Sequence, residues 1–301
     1  MPIDEPAFDA ELRRLSGAAT SLAAIGALLR MRDEGGEYDP QVQQALTRVA
    51  EAALPGLLDK LDDQQAAAAS HYITTQLNAG YDLLRSPGRG PGWAFPDPAL
   101  LQAQGDMSRA FPRHFAAMAK ERPDFAAAFD GGHFLDIGVG VASLALEAAA
   151  QFPRLRVTGL DIWEPSLALA RAHIAASPYA DRVAVRAQDV TTLEETDAYT
   201  AIWFPILFFP RSVVEAALPR LAAALRPGGW LIIPRTMAPS EGLAAAIGAL
   251  QMLRQGGTPW TDEALSDFAE RSGFADVAIV GGAELYPLPA SRLLLARKRP
   301  A

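Results

Sequence analysis

From Pro6 to Phe129 apolar side chains recur at helical spacing, and no stretch alternates with a period of two for long enough to form a strand. Leu15, Leu22, Ile25 and Leu29 fall on one helical face. Asp39-Pro40 and Asp97-Pro98 each put a capping carboxylate before a proline suited to a first helical turn. Several helices are predicted. Between Leu84 and Asp97 the chain is too rich in Gly and Pro for a regular element, so it is expected to be a mobile loop carrying Trp93 and Phe95.

The pattern changes at Gly131-Gly132. From there short β-type runs alternate with amphipathic helices, which is the signature of a parallel sheet covered on both faces. Strands are predicted at His133–Asp136, Leu155–Asp161, Arg182–Ala187, Ala198–Phe204 and Trp230–Pro234. The clearest helix is predicted over Arg211–Leu225, stopped by Arg226-Pro227-Gly228-Gly229. Two more helices are predicted near Glu241–Leu253 and Thr261–Ser272. Two last strands are predicted at Val277–Val280 and Arg292–Arg297, joined by a Gly- and Pro-containing turn short enough for an antiparallel pair. The division drawn from this pattern is a helical region over 1–129 and an α/β domain over 130–301.

Composition narrows the chemistry. Half of the 301 residues are apolar and 21% are charged, as in a soluble globular protein with a sizeable core. A net charge of −8 opposes wrapping of nucleic acid, which needs a cationic face. The absence of cysteine excludes disulfides, Cys-ligated zinc, Fe–S clusters and thiolate attack. Met1–Arg14 lacks a basic stretch followed by an apolar one, and no apolar run reaches bilayer length, so a cytoplasmic protein without a membrane partner is expected.

The strongest local signal is Phe134-Leu135-Asp136-Ile137-Gly138-Val139-Gly140-Val141-Ala142, a buried strand that ends in an acid and turns through two glycines into a helix. Such a turn lets a ligand approach the backbone at a helix N-terminus. A dinucleotide fingerprint would need a third glycine where Ser143 stands, and Asp136 would repel a pyrophosphate, so a nucleotide-dependent oxidoreductase is disfavoured. A carboxylate at this place suits a cofactor bearing an ammonium group or a cationic centre, the profile of S-adenosylmethionine. Asp161 closes the second strand, placed to accept two ribose hydroxyls. Asp189 follows the third, where it could accept an adenine amino group while Ile162 and Val190 cover the ring.

With these acids in order, the segment from about Phe134 to Arg297 resembles the class I S-adenosylmethionine-dependent methyltransferases. The matching features are Asp136 to Gly140, Asp161, Asp189-Val190, Leu225-Arg226-Pro227-Gly228-Gly229-Trp230 and the closing Ala269 to Phe274 stretch. Ala142 departs from the third loop glycine that many members carry. The resemblance implies a Rossmann-like α/β fold with a seven-stranded, mostly parallel sheet whose last strand is antiparallel, preceded by a helical N-terminal extension. It also implies methyl transfer from the cofactor's sulfonium to a small-molecule acceptor, with Asp136, Gly138, Gly140, Asp161, Ile162, Asp189, Val190 and Phe204 at the cofactor. Substituting Asp161 by Ala is expected to weaken cofactor binding and leave folding largely intact.

The stretch after the fourth strand sorts the subclasses. Trp203-Phe204-Pro205-Ile206 lacks the polar group that would hold an exocyclic amine, as DNA amino-methylating relatives require, and Phe204 and Pro205 cannot ligate magnesium. No catalytic metal is expected. Phe204 to Phe209 form an apolar rim, read either as an acceptor pocket or as a packing surface. Of the four histidines, His133 and His173 read as structural, while His71 and His114 are the candidates for a general base. In enzymes of this kind a helical extension forms an acceptor lid or a dimer surface. Tyr72, Tyr81, Trp93, Phe95, Phe111 and Phe115 are its aromatic candidates. The rival reading is a non-catalytic partner or regulator that keeps the fold.

Overall fold

The computed structural model describes residues 5–93, 95, 97–236, 241–281 and 291–299. It divides into two compact units, Met1–Pro87 and Gly88–Ala301. The first holds α1 (Glu5–Glu34), α2 (Pro40–Ala53) and α3 (Asp63–Arg85). Asp39 caps α2 by accepting from the N–H groups of Gln41 and Val42, and Asp62 and Gln65 form a reciprocal capping box on α3. Ile25, Leu29, Ala50, Ala66 and Ile73 make its core. Leu15, expected on the packed face, is 48% exposed, because the buried positions of α1 begin at Ala24.

The second unit contains α4 (Pro98–Ser108), α5 (Ala110–Glu121), α6 (Pro123–Phe129), β1 (His133–Ile137), α7 (Ser143–Gln151), β2 (Arg156–Asp161) and α8 (Glu164–Ala176). After these come β3 (Val183–Ala187), β4 (Tyr199–Trp203), α9 (Arg211–Ala224), β5 (Leu225–Thr236), α10 (Gly242–Gln255), α11 (Asp262–Arg271), β6 (Phe274–Val280) and β7 (Ser291–Lys298). The strands form one seven-stranded sheet in the order β3-β2-β1-β4-β5-β7-β6, with β7 antiparallel to both neighbours and the other pairs parallel. The class I methyltransferase sheet expected from the motifs is therefore present. The turn expected between the last two strands falls on residues 282–290, outside the described residues. Among the described residues no helix is long and apolar enough to cross a membrane.

Alternation along the strands sends successive residues to opposite cores. Phe134, Trp203, Trp230 and Ile232 pack with α5 to α8, whereas Leu135, Ile137, Ile202, Leu231 and Ile233 pack with α9 and α11. The first of these cores moves the unit boundary drawn from sequence at 129/130 back to 87/88. Phe111, Phe115, Phe125 and Phe129 are at most 9% exposed and join Phe134, Trp203 and Trp230 in one aromatic cluster, with Phe111 and Trp203 at 4.6 Å. Phe111 and Phe115 are thus core residues rather than lid residues. β5 also begins earlier than expected. Pro227-Gly228-Gly229 lies inside the strand as an irregularity, where pairing jumps from Tyr199↔Leu225 to Ala201↔Trp230.

Candidate cofactor site

In this strand order the direction of chain progression reverses between β1 and β4, and ligands of open α/β sheets bind outside the carboxyl ends of the strands at such a point. β1 delivers Asp136 there. Its side chain shares the face of Phe134, is 2% exposed, and its Oδ2 has no hydrogen-bond partner among the described residues. Burial pushes its carboxyl well above the usual carboxylate range, and the charge of Asp161 adds to the push. An orphaned carboxylate oxygen at a ligand-binding edge fits a partner that brings a positive charge and N–H donors.

The loop after β1 is held by its neighbours. Gly138 and Val139 donate to the Leu160 carbonyl at 2.8 and 3.0 Å, and Val139 packs onto Gly159, where a Cβ would stand 2.4 Å from Val139 Cγ2. Gly138, Gly140 and Ala142 all have positive φ, at 69°, 57° and 67°. A Cβ on Gly140 would meet only the Gly138 carbonyl, at 3.9 Å, so the loop is open where a ligand would approach its backbone. On its other side α4 seats Gly105 against Val141 and Ser143, and His173 bonds the Val141 carbonyl through Nδ1 at 3.0 Å.

Ala142 occupies a left-handed position that costs a non-glycine residue about 1–2 kcal/mol. Its methyl is fully buried, and losing a buried carbon forfeits about 0.8 kcal/mol. These terms oppose each other, so Ala142→Gly is expected to stay within about 1 kcal/mol of wild type in urea unfolding. Ala142→Val adds β-branching at positive φ to overpacking and is expected to lose about 1–3 kcal/mol, read as a lower midpoint in the same titration.

β2 delivers Asp161, and the loop is tied to it. Asp161 Oδ2 accepts from Gly140 N at 2.9 Å and Oδ1 from Trp163 N at 2.8 Å. Burial raises this carboxyl, opposed by the N–H groups of Trp163, Gly140 and Ile162. Ile162 stands 72% exposed beside it. After β3, Asp189 is exposed and caps a short turn through Oδ1, which accepts from Thr191 N and Oγ1, each at 2.8 Å. Val190, expected to cover the adenine ring, is 4% exposed and packs with Leu160 and Leu193, so most of its side chain serves the core.

The rim after β4 sorts into two layers. Phe204, Pro205 and Ile206 are buried, and Leu207, Phe208 and Phe209 are half-buried. Phe204, expected at the cofactor, is fully buried against Phe209, with ring centroids 5.1 Å apart, so its side chain packs in the core. Phe209 is half-buried and stands beside the glycine loop. Its ring edge lies 3.3 Å from where a Cβ on Gly138 would be, a contact the apolar run in the sequence contained without singling out.

Trp163 was likewise not singled out; its indole Nε1–H donates to the Phe95 carbonyl at 2.9 Å. The loop expected to be mobile is held by this bond, by Trp93 against Phe208 at 5.2 Å and by Arg89 over the Phe95 ring at 4.1 Å. His133 bonds Thr158 Oγ1 at the far end of β1. His114 on α5 has a buried Nε2 without a partner among the described residues, and burial lowers its pKa.

Residues 134–229 match the protein family described as "Methyltransferase domain". A ubiquinone/menaquinone biosynthesis C-methyltransferase of Geobacter sulfurreducens is 31% identical over 129 residues, which are 42% of this chain and 50% of that relative. The chain thus spans about half the length of the curated relative it matches. Likeness to solved structures covers more. An O-methyltransferase family protein from Burkholderia thailandensis superposes with a TM-score of 0.64 at 14% identity, over 100% of this chain and 99% of the other. The mitomycin 7-O-methyltransferase gives 0.60 at 17% identity over 98% of each. At these identities the likeness is one of fold.

Proposed function

From the premise that this chain carries a class I S-adenosylmethionine-dependent methyltransferase domain, we propose that it transfers a methyl group to a small, apolar or aromatic metabolite without a catalytic metal. The observation that carries the reading is the orphaned Asp136 carboxylate beside a glycine loop that Asp161 ties in place. When bound, S-adenosylmethionine supplies a methyl group activated on a sulfonium.

The chain's own residues do the holding. Asp136 receives the cofactor's ammonium group, and the left-handed Gly138 and Gly140 bring the backbone close to its amino-acid tail. Each oxygen of Asp161 accepts one backbone N–H and has a lone pair left for a ribose hydroxyl. Ile162 offers an exposed apolar face to adenine, and Asp189 has its second oxygen for the amino group. Phe209, Phe208 and Leu207 line the acceptor side, where alignment of acceptor, methyl and sulfur supplies much of the acceleration.

The acceptor class follows from that apolar rim. It agrees with relatives whose names place them in quinone biosynthesis and in mitomycin O-methylation. A cytoplasmic setting in specialised metabolism, and a helical region that serves as acceptor cover or dimer surface, belong to the same proposal; light-scattering mass reads the dimer. Calorimetric titration with S-adenosylmethionine and with S-adenosylhomocysteine is expected to give one site per chain. No heat from either ligand, with the protein folded by circular dichroism, would reject the reading.

A further inference from the structure

Trp163 makes two bonds in opposite directions. Its backbone N–H donates to Asp161 Oδ1 at 2.8 Å, and its indole N–H donates to the carbonyl of Phe95, sixty-eight residues earlier in the chain, at 2.9 Å. Phe95 stands edge-on to Trp93 at 4.9 Å, and Trp93 stands edge-on to Phe208 on the rim after β4 at 5.2 Å. Beyond the aromatic rings, Arg254 at the end of α10 donates to the Arg89 carbonyl at 2.9 Å, and Gly256 approaches Gly92 so closely that a Cβ would stand 2.9 Å from Gly92 Cα. One run of contacts therefore joins the segment after β2 to those after β4 and β5, across the edge where the cofactor reading puts its ligand.

We propose that Trp163 is a positioning residue that couples cofactor binding at Asp161 to the placement of the Trp93–Phe208 wall on the acceptor side. The inference rests on the cofactor reading of Asp161. A ligand whose ribose engages Asp161 stiffens the Asp161–Trp163 turn, and the turn holds the indole N–H in line with Phe95. By reciprocity, a well-placed Phe95 slows release of the ligand. Trp163 touches neither reacting atom and acts through Asp161 and Phe95.

The test uses S-adenosylhomocysteine as the probe and Trp163→Phe as the variant, which keeps an aromatic ring and removes the donor. Stopped-flow displacement is expected to show release about three- to tenfold faster from the variant, the size of one lost hydrogen bond. Tryptic cleavage between Arg89 and Gly90 is expected to slow in wild type when the probe is bound and to slow much less in the variant. The thermal midpoint without probe is expected to fall by no more than one lost hydrogen bond allows, whereas a merely structural role would leave the probe-dependent change in cleavage the same in both proteins. Equal release rates and equal protection in the two proteins overturn the coupling and leave the cofactor reading standing. So does a wild-type cleavage rate that the probe does not change. Failure of the probe to bind wild type overturns both.

Discussion

Asp136→Asn is expected to make the ligand-free protein more stable at neutral pH and to cut its affinity for S-adenosylhomocysteine by a large factor. The carboxyl is buried with an unpartnered oxygen, and its pKa is raised by burial first and by Asp161 second. A group whose folded pKa is raised contributes stability that is complete below its unfolded value, about 3.9 for Asp, and is lost as pH rises through the folded value. Wild type and Asn variant should therefore have similar thermal midpoints in acid and diverge above it, with the variant higher. Binding runs the other way. Removing one partner of a buried charge pair costs about 2–5 kcal/mol, so affinity should fall by roughly 30-fold or more. Because an ammonium ligand favours the ionised carboxylate, wild-type affinity should rise with pH through the Asp136 pKa, with a proton released on binding. Calorimetry in buffers of different ionisation heat reads that proton, and the Asn variant should release none from this site. Equal affinity in the two proteins would take the ammonium contact away from Asp136.

Asp161→Ala is the second large effect, and here the structure reverses an expectation. Position in the sequence suggests a ligand contact that folding can spare. The carboxylate instead satisfies the N–H groups of Gly140 and Trp163 in a half-buried setting, and each group left without a partner costs about 1–3 kcal/mol. A lower urea midpoint at unchanged slope is expected, with a total loss of about 2–4 kcal/mol after water reaches part of the site. Cofactor binding should disappear with it, because the loop and the ribose contact share this side chain. An unchanged midpoint would show that the bracket between β2 and the glycine loop contributes nothing.

The apolar periods, the acid at each strand end and the two loop glycines were readable from the chain alone, because each records a local requirement. A residue on a doubly covered strand must be apolar, and a backbone at positive φ favours glycine. Those requirements predicted seven strands with the last two as an antiparallel pair, and the family resemblance implied their single sheet; Asp136 and Asp161 stand at the ends of neighbouring strands, where Asp136 pairs with Gly159 and Ile137 with Leu160.

What separates Phe204 from Phe209, or Val190 from Ile162, is which side chain the second core claims, and both members of each pair are apolar. The helices α4 to α6 read like the helices before them, yet their phenylalanines belong to the sheet's core because Trp203 and Trp230 meet them there. Likewise a loop of Gly and Pro carries no local sign that Trp163 will hold its Phe95. Periodicity reports whether a position is buried. Only contacts between residues far apart in the chain decide against what, and in this protein that second question selects the residues left exposed at the carboxyl edge of the sheet.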